Sequence, residues 1–190
     1  MTTALLIIDV QNAILAGLAN GPRQAVIDDR LDEVAARLGR LKRDAEAAGI
    51  PVILVQHDGE AGHRLNVGTA GWQFRDEIAP HSDTIVVHKR SCDAFHDTSL
   101  GQRLDDLKID HLIIGGCMSQ FCVDTTTRRA VSLGFDVTLL EDGHATFDFG
   151  ALKAEQIVHH HNQILSGFEA GSKTVRVVPV EAVKFRNVIP

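Results

Sequence analysis

The sequence predicts an α/β fold: a three-layer αβα sandwich on a doubly wound, six-stranded, mainly parallel sheet. Short continuous apolar runs such as Ala4-Leu5-Leu6-Ile7-Ile8 read as strands covered on both faces. They alternate with stretches whose apolar residues step by three and four, the helical period. Strand and helix in alternation make βαβ units, and right-handed crossovers then wind the sheet in both directions. A chain of 190 residues, 44% of them apolar, suits one globular domain over 1–190.

The first strand is Ala4 to Val10. A helix from Ile27 to Ala48 carries Ile27, Leu31, Val34, Leu38, Leu41, Ala45 and Ala48 on one face. Gly49 is placed to cap it, and Pro51 prevents its continuation. Val52–Gln56 and Thr84–His88 are the second and third strands, and Ser99–Leu107 is a short helix. His111–Ile114 is the fourth strand, followed by a helix from Cys122 to Leu133 that Gly134 ends. Phe135–Leu140 is the fifth strand, Ala151–Leu165 a helix and Thr174–Val178 the sixth strand. Only Asp58 to Asp83 lacks periodicity. A connection that long is expected to serve the site or a subunit contact.

Composition narrows the function classes. The net charge of −6 is mild, and no basic stripe points to nucleic acid. The apolar runs are too short to span a bilayer, and Ala4–Ile8 has no basic segment before it, so it reads as a strand rather than a signal peptide. Three cysteines, Cys92, Cys117 and Cys122, with no CxxC spacing argue against a disulfide framework or a thiolate zinc site. The expected setting is a reducing cytoplasm.

In open α/β sheets ligands bind beyond the carboxyl ends of the strands, where strand order reverses. Asp9 ends strand one and Lys89 follows strand three. Cys122 follows strand four in Gly115-Gly116-Cys117-Met118-Ser119-Gln120-Phe121-Cys122-Val123. A strand, a glycine turn and a helix set that thiol in the field of a helix N-terminus, which favours the thiolate. Each residue alone has a plainer reading: a loop anchor, a solvated lysine, a small buried hydrophobe. Together, at one sheet edge, they supply the base, cation and nucleophile of a covalent hydrolase.

Several stretches then resemble one family. They are Leu5-Leu-Ile-Ile-Asp9-Val-Gln11-Asn12, Gly71-Trp72-Gln73-Phe74, Val86-Val-His-Lys89-Arg-Ser-Cys-Asp-Ala-Phe95, the Gly115–Val123 turn through Ala130, and Glu141-Asp-Gly-His144-Ala-Thr146. In content and order this set is similar to the isochorismatase-like cysteine hydrolase superfamily, whose fold is Rossmann-like. The resemblance implies an Asp9-Lys89-Cys122 triad. It also implies a cis peptide between Cys117 and Met118, with the N–H groups of Met118 and Cys122 as an oxyanion hole. No cofactor, a small-molecule substrate and a homo-oligomer, dimer or tetramer, are further implications. The expected reaction is cleavage of an amide-like C–N bond through a thioester. Vinyl-ether hydrolysis of isochorismate, or a non-catalytic small-molecule binder on the same fold, are the alternatives.

Other chemistry fits less well. Nicotinamidase relatives bind a metal through an Asp and several His after strand two. His57, Asp58 and His63 lie there, but without that branch's Asp-x-His arrangement, so no metal is expected. A haloacid-dehalogenase phosphatase needs a second Asp where this chain has Gln11, and the G-x-G-x-x-G of a dinucleotide binder is missing after strand one. His161, inside His159-His160-His161, shares a helix face with Ile157 and Ile164 and reads as packed. Candidate substrate contacts are Gln11, Trp72, Phe95, His144 and Phe149, with Phe147 a further wall residue, because all sit in or near strand-end loops.

Overall fold

The computed structural model describes residues 1–185. The strands are β1 (Thr3–Ile8), β2 (Val52–His57), β3 (Ile85–Lys89), β4 (His111–Cys117), β5 (Asp136–Ala145), β6 (Glu169–Ala170) and β7 (Lys173–Val178). The helices are α1 (Pro22–Ala47), α2 (Leu100–Asp106), α3 (Asp124–Ser132) and α4 (Ala154–Leu165). The strands form one sheet in the order β3-β2-β1-β4-β5-β7-β6. All neighbours pair in parallel except β6 and β7. Strand order reverses between β1 and β4, which pair from Thr3↔His111 to Ile8↔Gly116.

The unbroken apolar run of β1 has a direct cause. Leu5 and Ile7 pack with Val34, Leu38 and Leu41 of α1, while Ala4, Leu6 and Ile8 pack with Leu104 and Val131 on the other face. Every side chain of the run is needed in one layer or the other, so none is polar. Helix α1 begins five residues before the predicted start, with Pro22 in its first turn, where a missing N–H costs nothing. Gly49, at φ 72°, ends it, and Ile50 N–H donates to the Ala45 carbonyl.

Among the described residues the sheet has seven strands rather than six. The addition is Glu169–Ala170, two residues that fold back on Lys173–Thr174 across Gly171. A strand that short has no period to read. Strands β4 and β5 also run beyond their apolar segments, through Gly115-Gly116-Cys117 and Glu141–Ala145. Helix α4 begins at Ala154, because Phe149 and Leu152 pair as an isolated bridge just before it. Among the described residues, no helix is long and apolar enough to cross a membrane.

Candidate active site

Lys89, the last residue of β3, is the hub. Its Nζ lies 2.6 Å from Asp9 Oδ2 and donates to Cys122 Sγ at 3.2 Å and to the Ser91 carbonyl at 2.9 Å. His57 Nδ1 is a fourth neighbour at 3.4 Å. The Lys89 and Asp9 side chains are 0% and 1% exposed, and Cys122 is 6% exposed. Three residues spanning 113 positions of sequence, from Asp9 to Cys122, thus meet in a nearly dry space at the point where strand order reverses.

The backbone explains the convergence. Asp9 sits just past β1 at φ 52°, a left-handed conformation that aspartate tolerates better than most residues. Its N–H donates to the Val55 carbonyl and its carbonyl accepts from Gln11 N–H, which locks the side chain inward. Gly116, at φ 128°, lets β4 press against β1: a Cβ there would lie 2.0 Å from the Ile8 carbonyl oxygen. The Cys117–Met118 peptide is cis. Ser119–Val123 then forms one π-helical turn, and Val123 N–H donates to the Met118 carbonyl. Cys122 lies within that turn, ahead of α3.

The electrostatics differ from the sequence expectation at Cys122. There the helix terminus favours a thiolate; in the fold the net push is upward. Interaction with the Cys92 thiol is the largest cause and burial the next, outweighing the pull of Lys89 and Asp9. Burial also raises the Asp9 carboxyl well above its usual range, helped by Cys122 and opposed by Lys89. Burial draws the Lys89 ammonium down, but Asp9 and Cys122 more than offset this, and the net direction is up. His57 is lowered to about 4, by burial and then by Lys89, so it accepts from Lys89 as a neutral ring. A fixed cation, a carboxyl with raised proton affinity and a protonated thiol is a set that can move one proton between sulfur and oxygen.

The other predicted residues fall in different places. Gln11 is fully buried. Its amide donates to the His57 and Trp72 carbonyls, and its oxygen accepts from His57 N–H. It therefore latches the long 58–83 connection to β1, leaving no amide hydrogen for a substrate. Trp72 stacks on His88 at 5.9 Å and donates its indole N–H to Asp58, beside the mouth over Lys89. Phe95 stacks on Phe135 at 6.0 Å, against the core layer of α2 and α3. Phe149 is 55% exposed, edge-on to Phe121 and Phe147. His144 is buried, bonded through Nδ1 to Ser119 Oγ at 2.7 Å and through Nε2 to Asn162 Oδ1 at 2.9 Å. It holds the π-turn from behind.

Two hollows flank the lysine. One of about 370 Å³ opens on Lys89, Ser91, Asp58 and Arg90, and one of about 500 Å³ is lined by His57, His63 and Arg90. A separate cavity of about 320 Å³ between α1 and α4 reaches His144 but none of Asp9, Lys89 and Cys122. His57, weighed in the sequence only as a metal ligand, and Cys92, counted there only as a free thiol, are neighbours of the site that sequence reasoning did not place beside the lysine. A cysteine three residues beyond the lysine, in the same strand-end loop, is the signal that could have found the second.

A family model described as the Isochorismatase domain matches residues 3–164. The chain belongs to the isochorismatase family. The isochorismatase of Pseudomonas putida KT2440 has a similar structure, with a TM-score of 0.83 and 30% identity over 96% of this chain and 90% of that one. Two streptothricin hydrolases of Streptomyces noursei are 37% and 38% identical, over 78% of this chain in each case. The match covers 51% and 56% of those proteins, so the chain spans about half their length. A ureidoacrylate amidohydrolase of Klebsiella pneumoniae is 29% identical over 81% of this chain and 77% of its own.

Proposed function

We propose that this isochorismatase-family chain is a cysteine hydrolase that cleaves an amide-like C–N bond of a small molecule through a thioester on Cys122. The observation that carries the reading is Lys89 Nζ set between Asp9 Oδ2 at 2.6 Å and Cys122 Sγ at 3.2 Å in a buried space. The raised Asp9 carboxyl supports it, because a base must hold the proton it takes from a thiol. Relatives named for streptothricin hydrolysis and for ureidoacrylate amidohydrolysis support a small substrate with a C–N bond.

Asp9 accepts the Cys122 proton while Lys89 stabilises the resulting thiolate. The sulfur attacks the carbonyl carbon, and the oxyanion is assigned to the N–H groups of Met118 and Cys122 at the π-turn. Asp9 returns the proton to the leaving nitrogen as the C–N bond breaks. Water, losing its proton to Asp9, then attacks the thioester. The acid is released and the sulfur recovers the proton. Trp72 and Phe149 are assigned to the rim of the pocket. Phe95 is assigned to its supporting wall, while Gln11 and His144 position the elements that carry the chemistry.

The test is a screen of small amides, imides and ureas for ammonia or amine release by the wild type and by Cys122→Ala. The expected result is release that the variant abolishes, with a thioester adduct on Cys122 in the intact mass. Full turnover by Cys122→Ala, or cleavage of isochorismate alone, overturns the amidase reading.

A further inference from the structure

Cys92 is the one exposed thiol of the chain, and no step above uses it. Its loop is tied to the Cys122 segment on both sides. Before it, the Ser91 carbonyl and the Cys122 sulfur share Lys89 Nζ, at 2.9 and 3.2 Å. At and after it, Thr126, one turn beyond Cys122, donates its hydroxyl to the Cys92 carbonyl at 3.3 Å and accepts from Ala94 N–H at 3.1 Å. The loop is stiffened further by Asp93, whose carboxylate accepts from Phe95 N–H at 2.8 Å. Cys117 is in a different place, fully buried in the core layer of α1 on the opposite face of the sheet from Cys122.

We propose that Cys92 and Cys122 are a peroxide-sensitive thiol pair, Cys92 the site of oxidation and Cys122 the thiol that resolves it into a disulfide. The two sulfurs divide the work by exposure: one meets solutes and the other is 6% exposed behind it. Acidity supports the same division. Interaction with the Cys122 thiol holds the Cys92 thiol down at about 6, with Lys89 adding to it, against the opposing effect of burial. A thiolate is the form that attacks a peroxide.

The chemistry balances with hydrogen peroxide as the oxidant. The Cys92 thiolate attacks one peroxide oxygen, the O–O bond breaks, and the departing hydroxide takes a proton to become water. Cys92 is then a sulfenic acid. The Cys122 sulfur attacks the Cys92 sulfur, the S–O bond breaks, and the Cys122 proton leaves with that oxygen as a second water. Two electrons pass from the thiol pair to the peroxide. A dithiol reductant reverses the change by exchange. The consequence for turnover, loss of the nucleophile, rests on the hydrolase reading; formation of the bond does not.

The experiment therefore reads mass and needs no substrate. The whole chain is treated with hydrogen peroxide, blocked with N-ethylmaleimide, and mapped intact and after digestion. The expected result is loss of two hydrogens and a fall in free thiols from three to one. A Cys92–Cys122 linked peptide should appear and be dissolved by dithiothreitol. Cys117→Ala should behave as the wild type, and Cys92→Ser should give no link. Wild-type protein that gains oxygen on Cys92 while Cys122 stays open to the maleimide overturns the proposal, as does a wild type whose mass is unchanged. If linkage forms while the amide screen fails, the thiol pair stands and the hydrolase reading falls.

Discussion

At the scale of single residues, Lys89 carries the largest consequence. Its ammonium meets a carboxylate, a thiol, a carbonyl and an imidazole, all within 3.4 Å. A cation so placed favours the charged form of the thiol beside it. Lys89→Met removes that charge and leaves Asp9 to hold a proton in an apolar space. Iodoacetamide labelling of Cys122 near pH 7 should then slow by about tenfold or more, the size of one unit in thiol pKa. Peptide mapping separates it from Cys92, and an unchanged Cys122 rate in a folded variant would show that the lysine does not stabilise the thiolate. His144 illustrates a different kind of residue. Its position at the strand-five edge is legible in the sequence, yet its ring is spent on Ser119 and Asn162, a pairing between residues 25 and 18 positions away. Sequence position places a side chain at an edge; it does not say which way the ring turns.

Among the elements, the β1–β4 pairing is the one on which the site depends. Ile8 pairs with Gly116, and the Cys117–Cys122 turn starts where that pair ends. Alanine at 116 would place its Cβ 2.0 Å from the Ile8 oxygen, at a φ of 128° that alanine rarely adopts. Gly101, half-buried in the first turn of α2, has nothing within 4 Å of its would-be Cβ. Gly116→Ala should therefore cost several kcal/mol or prevent folding, while Gly101→Ala should stabilise by roughly 0.5–1 kcal/mol. Urea titrations of both decide it, and equal midpoints would remove Gly116 from this role. The glycine pair was visible as a turn signal after an apolar run. That β4 continues through it was not, because glycine carries no side chain to mark a buried face. Strand β6 was unreadable for the related reason that two residues have no period.

For the molecule as a whole, one buried histidine, His144, and two half-buried ones, His57 and His111, set the acid limit. Burial, followed by Lys89, holds His57 at about 4, and burial holds His144 at about 4 against its bond to Asn162. His111 is lowered too, chiefly by burial. Unfolded histidines titrate at about 6.5, so from pH 6.5 to 4 the unfolded chain binds protons that the folded one refuses. Stability should fall as pH falls through that window, by about 1.4 kcal/mol per pH unit for each proton taken up. Asp9 acts in the opposite sense, since its raised carboxyl keeps a proton that the unfolded chain gives up; three histidines outnumber it. Thermal melts from pH 7 to 4 measure the net, and a flat melting temperature would contradict it. The sequence by itself determined the strand–helix alternation, the two-sided burial of β1 and the presence of Asp9, Lys89 and Cys122 at one edge. Those follow from period and order, which are properties of the chain read locally. Only the tertiary structure decided that His57 and Cys92 crowd the same lysine and thiol. It likewise turned Gln11 and His144 into struts, and set the balance at Cys122 toward the protonated thiol. Those depend on distances between residues far apart in sequence and on the exclusion of water, and neither exists until the sheet closes.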